Sequence, residues 1–275
     1  MTPASAPGIA PRETAEIGVF GGSGFYSFLD DAVEVNLETP YGPPAAPVTI
    51  GEVGSRRVAF LPRHGRRHEL PPHRINYRAN LWAMRQVGVT RLLGPCAAGS
   101  LQPEVAPGDF VVPDQLVDRT WGRADTFYEG PVAHHVSYAD PYCPHLSAVA
   151  VEAARAAGIT VHPTGTVIVI QGPRFSTRAE SRWYRSQGFE VINMTQYPEA
   201  YLARELGICY AAIALITDYD TGVEGAGVEA VTQAEVFGFF KSNLDRVRTL
   251  LFDVVAAVPA ERSCHCGEAV GPLPD

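Results

Sequence analysis

Residues 209–220 read CYAAIALITDYD. The run 209–216 is apolar with β-branched residues, which is the pattern of a strand buried inside a sheet. At 209–217 it also falls far short of the roughly 20 residues that span a bilayer. Its end turns abruptly polar at Thr217-Asp218-Tyr219-Asp220. Similar runs recur at 17–20, 57–61, 91–93, 109–112, 165–170 and 190–192. Stretches with apolar residues at helical spacing lie between them at 76–86, 145–157, 177–186, 199–206 and 233–258. Strands alternating with helices predict an α/β fold around a largely buried sheet. The segments 40–47, 69–73 and 121–144 are rich in Pro, Gly or His and read as loops.

A chain of 275 residues, 46% hydrophobic and 19% charged, can bury a sizeable core. No internal repeat or linker divides it, so one domain over 16–258 is expected, with a flexible Pro- and Ala-rich arm at 1–15 and a tail at 259–275. That tail is expected to be loose or packed on a neighbour. A net charge of -8 without any Lys/Arg run offers no field for a polyanion, so no nucleic-acid partner is expected. The arm lacks the basic start and apolar run of a signal peptide, and a cytoplasmic location follows, with no membrane partner.

Five cysteines, an odd number, suit a reducing compartment. Cys96, Cys143 and Cys209 sit in apolar or turn contexts without metal-ligand spacing and read as packing residues. Cys264 and Cys266 flank His265 in a C-x-C that fits a strained redox pair, a partial metal site or an exposed pair without function.

Four constellations could carry chemistry. Gly21-Gly22-Ser23-Gly24 follows the strand at 17–20, where glycines let backbone N–H groups converge on an anion and Ser23 adds a hydroxyl; a tight turn accounts for the glycines equally well. Arg63-His64-Gly65-Arg66-Arg67-His68 packs cations after the strand at 57–61. Arg63 can fork onto two phosphate oxygens and His64 can donate another hydrogen bond, unless the segment is only a solvated basic loop. Asn193-Met194-Thr195 ends the strand at 190–192, where open α/β sheets bind ligands, though a capped turn before Pro198-Glu199 would look the same. Asp218 and Asp220 share one side of an extended segment, so mutual repulsion should raise one pKa and make that group a proton donor near neutrality; a cation loop is the plainer alternative.

Taken in order, GGSGFY, RHGRRH, NYRANLWA, AAGSL, PGD, DRT, GPRFSTRAE, VINMT, PEA, LARELGICYA and TDYD resemble the trimeric nucleoside phosphorylases, in their methylthioadenosine phosphorylase branch, over about 17–257. The resemblance implies a single-domain nucleoside phosphorylase-like fold, a twisted mixed β-sheet flanked by helices. It implies a phosphate site of Ser23, Arg63, His64, Cys96, Ala97 and Thr195, with Met194 under the ribose. Phe175 and Ser176 would line the purine, and Asp218 and Asp220 would read N7 and the exocyclic amine. His68, Gln233, Val236 and Phe237 would surround the 5' substituent, with Ser176, too, setting specificity.

The activity so implied is phosphorolysis of S-methyl-5'-thioadenosine to adenine and 5-methylthioribose 1-phosphate, with Asp218 as the catalytic acid. No metal or cofactor is required, and inorganic phosphate is a co-substrate. A homotrimer, or a dimer of trimers, would bring His135 near a neighbouring site. Two departures stand out: Cys96 replaces the family's usual Thr, leaving a weaker S–H donor, and Gln233 falls where an apolar residue is usual, so other 5' groups should be tolerated. The rival readings are a phosphorylase of 6-oxopurine nucleosides such as inosine, guanosine or methylthioinosine, a water-using nucleosidase, and an idle nucleoside-binding protein.

Overall fold

The computed structural model describes residues 10, 13–22, 25, 28–131, 133–221, 223, 230–268 and 270–271. Along the chain run β1 (Ile17–Gly21), β2 (Val33–Val35), β3 (Val48–Val53), β4 (Arg56–Pro62), α1 (Tyr77–Gln86), β5 (Arg91–Ser100), β6 (Phe110–Val111), β7 (Gln115–Arg119) and α2 (Pro144–Ala156). They continue with β8 (Val161–His162), β9 (Thr166–Ile170), α3 (Arg178–Ser186), β10 (Val191–Asn193), α4 (Gln196–Glu205), β11 (Cys209–Tyr219), α5 (Gln233–Ser242) and α6 (Leu244–Ala257). Among the described residues these eleven strands form one mixed sheet, ordered β2-β3-β4-β1-β5-β10-β9-β7, with β11 on β5 and β6, and β6 on β8.

β11 organises the core. Its even-numbered residues Tyr210, Ala212, Ala214 and Ile216 enter one apolar cluster with Leu81 and Met84 of α1 and Leu202 and Ala203 of α4. Its odd-numbered Cys209, Ala211, Ile213 and Leu215 enter a second with Leu146 and Ala150 of α2 and Leu250, Leu251 and Val254 of α6. Period-two alternation with both faces apolar is what a central strand between two helical layers demands. Burying each such leucine contributes roughly 1.5–3 kcal/mol.

β5 runs to Ser100, well past 91–93, because its second half, GPCAAGS, hides a strand behind glycine, proline and small residues. It pairs in parallel with β1 over Arg91–Leu93 and with β11 along its length, while β10 meets its last residues antiparallel. The apolar pattern over 233–258 is two helices rather than one, broken at Asn243, whose side chain donates back to the Phe239 carbonyl at 2.9 Å. The strands β2, β3, β7 and β8 lie outside the runs that apolar patterning marks.

The tail packs on its own chain: Arg91 Nη2 donates to the Pro259 and Ala260 carbonyls at 3.2 and 2.8 Å, and Cys266 is buried. The expectation of a loose or neighbour-packed tail missed these bonds because Arg91 is far away in sequence. The arm at 1–15 lies mostly outside the described residues; Ala15 is buried and donates its N–H to the Val87 carbonyl at 2.9 Å. Among the described residues no helix is long and apolar enough to cross a membrane.

Candidate active site

Loops leaving the carboxyl ends of β1, β4 and β11 converge with the second half of β5 and the end of β10 on a cavity of about 290 Å3. β10 approaches β5 from the opposite direction, so Asn193, Met194 and Thr195 fall beside Cys96, Ala97 and Ala98.

At one end of the cavity stand Arg63, His64, Cys96, Ala97 and Thr195. Arg63 is 1% exposed and already engaged: its Nε donates to Glu199 Oε1 at 2.5 Å and its Nη1 to the Pro95 carbonyl at 2.9 Å, which leaves Nη2 without a partner among the described residues. Its Nε is thereby committed to Glu199, and both Nη2 N–H groups are left for a ligand. Tyr210 Oη donates to the other Glu199 oxygen at 2.9 Å, and burial raises the Glu199 pKa even though Arg63 opposes it. Gly22 lines the cavity because a Cβ there would lie 3.0 Å from Arg63 Nη1 and 3.1 Å from the Pro95 carbonyl. A Cβ on Gly21 would come within 2.2 Å of the Phe25 carbonyl and 2.6 Å of Phe60 Cζ, and the Phe25 N–H closes the turn on the Gly22 carbonyl at 3.1 Å. Ser23 lies outside the described residues.

His64 is held through Nδ1, which donates to the Leu70 carbonyl at 2.9 Å. Burial, with the neighbouring His68 and Arg63 adding to it, pushes its pKa down to about 3, so the ring is neutral and its Nε2 carries a lone pair. In that state His64 can accept a hydrogen bond at Nε2 while Nδ1 stays committed to Leu70. His68 stacks on it at 4.2 Å between centroids and holds a positive φ of 58°, a left-handed conformation uncommon outside glycine. Arg66 and Arg67 point away and are exposed, Arg66 pairing with Glu34 at 2.5 Å, so the basic hexapeptide is split between cavity and solvent.

Cys96 Sγ accepts from Asn193 Nδ2 and Gln196 Nε2, both at 3.4 Å, and burial raises its pKa, so it stays a neutral thiol. Thr195 precedes α4 without making a capping bond, and its side chain faces the cavity it lines.

The other end is carboxylate. Asp218 accepts from Thr217 Oγ1 at 2.7 Å, and burial, ahead of the smaller repulsion from Asp220, raises its pKa to about 6. The sequence argument anticipated the direction but named repulsion as the cause, whereas loss of water outweighs the neighbouring charge. Asp220 is 3% exposed; burial raises its pKa too, and its Oδ2 has no partner among the described residues. Ser181 of α3 bonds to the Asp220 carboxylate, and Arg178 of α3 donates to the Thr221 carbonyl at 3.1 Å. Gly99 completes this end, since a Cβ there would sit 3.0 Å from Asp218 Oδ1 and 3.1 Å from Ile192 Cγ2.

Phe175 and Ser176 line the wall just before α3. A capping box between Thr177 and Glu180 starts that helix, and Arg174 forks onto Glu180 at 2.7 and 2.8 Å, drawing the Glu180 pKa down to about 2 and fixing the loop. The Ser176 hydroxyl is buried and has no partner among the described residues. Met194 packs beneath Gly172, where a Cβ would come within 2.6 Å of its sulfur.

The mouth is formed by His68 and the first turn of α5, whose Thr232–Glu235 capping box presents exposed Gln233, buried Val236 and half-buried Phe237, the last edge-on to His68 at 4.9 Å. His135 is exposed and does not line the cavity. Sequence reasoning did not find Gly99, Pro72 or Ile192 in the lining, nor Glu199 as the partner of Arg63. The Pro198-Glu199 pair had been visible only as a helix start.

Comparisons with known proteins agree in direction. The phosphorylase superfamily profile matches residues 16–258. The chain is 56% identical over 273 residues to a purine nucleoside phosphorylase of Streptomyces coelicolor, covering 96% of this chain and 97% of that one. It is 58% identical over 254 residues to the S-methyl-5'-thioadenosine phosphorylase of Mycolicibacterium smegmatis, covering 91% and 94%. Among solved structures, methylthioadenosine phosphorylase from Schistosoma mansoni in complex with adenine superposes with a TM-score of 0.86 at 37% identity, covering 90% and 93%.

Proposed function

This chain belongs to the phosphorylase superfamily, and on that premise we propose that it cleaves S-methyl-5'-thioadenosine with inorganic phosphate, giving adenine and 5-methylthioribose 1-phosphate. It is a pentosyltransferase, and its relatives at 45–58% identity named for this activity support the assignment. The observation that carries the choice of base is the Asp218–Asp220 pair at the end of β11. A buried carboxylate oxygen without a partner calls for a donor, and an adenine amine supplies one, whereas a 6-oxo base sets an acceptor against it.

In this reading a phosphate oxygen forms a bond to C1' as the C1'–N9 bond breaks through an oxocarbenium-like state, and the electron pair leaves with the base. Asp218, protonated in part near neutrality because its pKa is about 6, donates to N7. Arg63 Nη2 and Thr195 hold the phosphate beside the cationic sugar, and neutral His64 accepts from its P–OH. Cys96 and Ala97 border the phosphate, and the resemblance assigns Ser23 to it as well. Met194 underlies the ribose, Phe175 and Ser176 flank the purine, and His68, Gln233, Val236 and Phe237 receive the 5' group. No metal or organic cofactor takes part. The protein acts in the cytoplasm as a homotrimer in which His135 reaches towards a neighbouring site.

The second reading, a phosphorylase of 6-oxopurine nucleosides, is favoured by the name of the Streptomyces coelicolor relative. Phosphate-dependent release of base from 5'-methylthioadenosine, adenosine, 5'-deoxyadenosine and inosine separates the two. Preference for methylthioadenosine is expected, and preference for inosine supports the second reading. Cleavage without phosphate would make the protein a nucleosidase.

A further inference from the structure

Cys143, Cys209, Cys264 and Cys266 come from three separate parts of the chain, yet their four sulfur atoms all lie within 4.8 Å of one another. Cys143 is the residue before α2, Cys209 opens β11, and Cys264 and Cys266 belong to the tail. All are free thiols, three are buried, and Cys209 and Cys264 approach to 3.3 Å. A zinc–sulfur bond of about 2.3 Å in tetrahedral geometry sets sulfur atoms about 3.8 Å apart. The cluster is therefore within small side-chain adjustments of that arrangement, with every sulfur near the other three rather than sorted into two pairs.

The surroundings suit anionic sulfur. Cys143 Sγ accepts the Leu146 N–H at 3.4 Å from the first turn of α2, at the positive end of that helix. Arg91 and Arg262 line a small cavity together with Cys143 and Cys209. Arg262 also donates to the Gly207 carbonyl at 3.0 Å, holding the tail over the start of β11. His265, between the two tail cysteines, is exposed and bonds to Glu268 at 2.8 Å, so it stays outside the cluster.

We propose that these four cysteines form a structural tetrathiolate site for Zn2+ that clamps the C-terminal tail to the beginnings of α2 and β11. The ion binds as the four thiols release their protons to solvent, and the resulting dianionic unit is offset by the arginines beside it. Four protein ligands leave no open position, so the site supports the fold rather than catalysis. It lies at the opposite end of β11 from Asp218.

The test is metal analysis of the full chain, purified with reductant and supplied with zinc. About one zinc per chain is expected to survive gel filtration, and Co2+ in its place should give thiolate-to-cobalt charge-transfer absorption and the strong visible bands of a tetrahedral ion. The Cys264→Ser/Cys266→Ser double variant should lose the zinc, while Cys96→Ser should keep it. Failure of the reduced chain to take up zinc overturns the proposal, as does zinc that persists in the folded double variant, or a chain isolated with these thiols paired as disulfides that binds no zinc after reduction. Should the double variant not fold, the cobalt spectrum of the unsubstituted protein decides: absence of the charge-transfer band overturns the site.

Discussion

Asp218 lies in the cavity wall near the end of β11. Its pKa rises from 3.8 to about 6 because burial disfavours the charge. Between those values the folded state binds more protons than the unfolded one, so stability falls as pH rises through that window, and a cost of about 3 kcal/mol persists above it. Asp218→Asn removes the charge while keeping an oxygen for Thr217. It should therefore raise stability at pH 7 by up to about 3 kcal/mol and change it little near pH 4, as urea melts at the two pH values would show. The same variant should lower kcat by roughly 100- to 1,000-fold with little effect on substrate binding, since an amide cannot deliver the proton. In the unsubstituted enzyme kcat/KM should decline as pH rises beyond about 6, as the donor form is lost. A flat profile there would remove Asp218 from the acid's role.

Elements carry their own constraints. Arg63 at the end of β4 is aimed by Glu199 of α4, and both side chains are 1% exposed. Removing one partner strands the other in a dry interior, so Glu199→Ala should cost about 3–5 kcal/mol. Glu199→Gln keeps an acceptor for Nε and should cost less, while raising the KM for phosphate as Arg63 loosens. Denaturant titration with phosphate kinetics checks both, and an unchanged KM in a folded Gln variant would show that Arg63 needs no such aim. On the neighbouring strands, Gly99 leaves room for Asp218. A Cβ 3.0 Å from Asp218 Oδ1 and 3.1 Å from Ile192 must displace one of them. Gly99→Ala should cost about 1–3 kcal/mol in stability or transition-state binding, seen as a fall in kcat/KM greater than any change in melting temperature explains.

On the scale of the whole molecule the tail is part of the body. Truncation after Pro259 takes away the Ala260 carbonyl that Arg91 bonds and the buried Cys266, leaving Arg91, itself 5% exposed, short of a partner. Such a chain should lose about 2 kcal/mol and melt roughly 4–8 °C lower by calorimetry; an unchanged melting temperature would mean that the tail contributes nothing. Much of the fold could be read from the sequence, because a strand such as 209–216 announces itself through its own neighbours, and polar residues directly after apolar runs mark the strand ends where a site forms. On that pattern Arg63, His64, Thr195, Asp218 and Asp220 all line one cavity. The second half of β5 was hidden because glycine and proline mask a strand whose support comes from β11 and β10. The α/β class and the residues gathered at the strand tips both follow from local order along the chain. The partner of Arg63 136 positions away, the tautomer of His64, burial as the main cause of the Asp218 pKa shift and the meeting of four thiols came from the tertiary structure alone. Each depends on which distant segments come together and on how completely they exclude water.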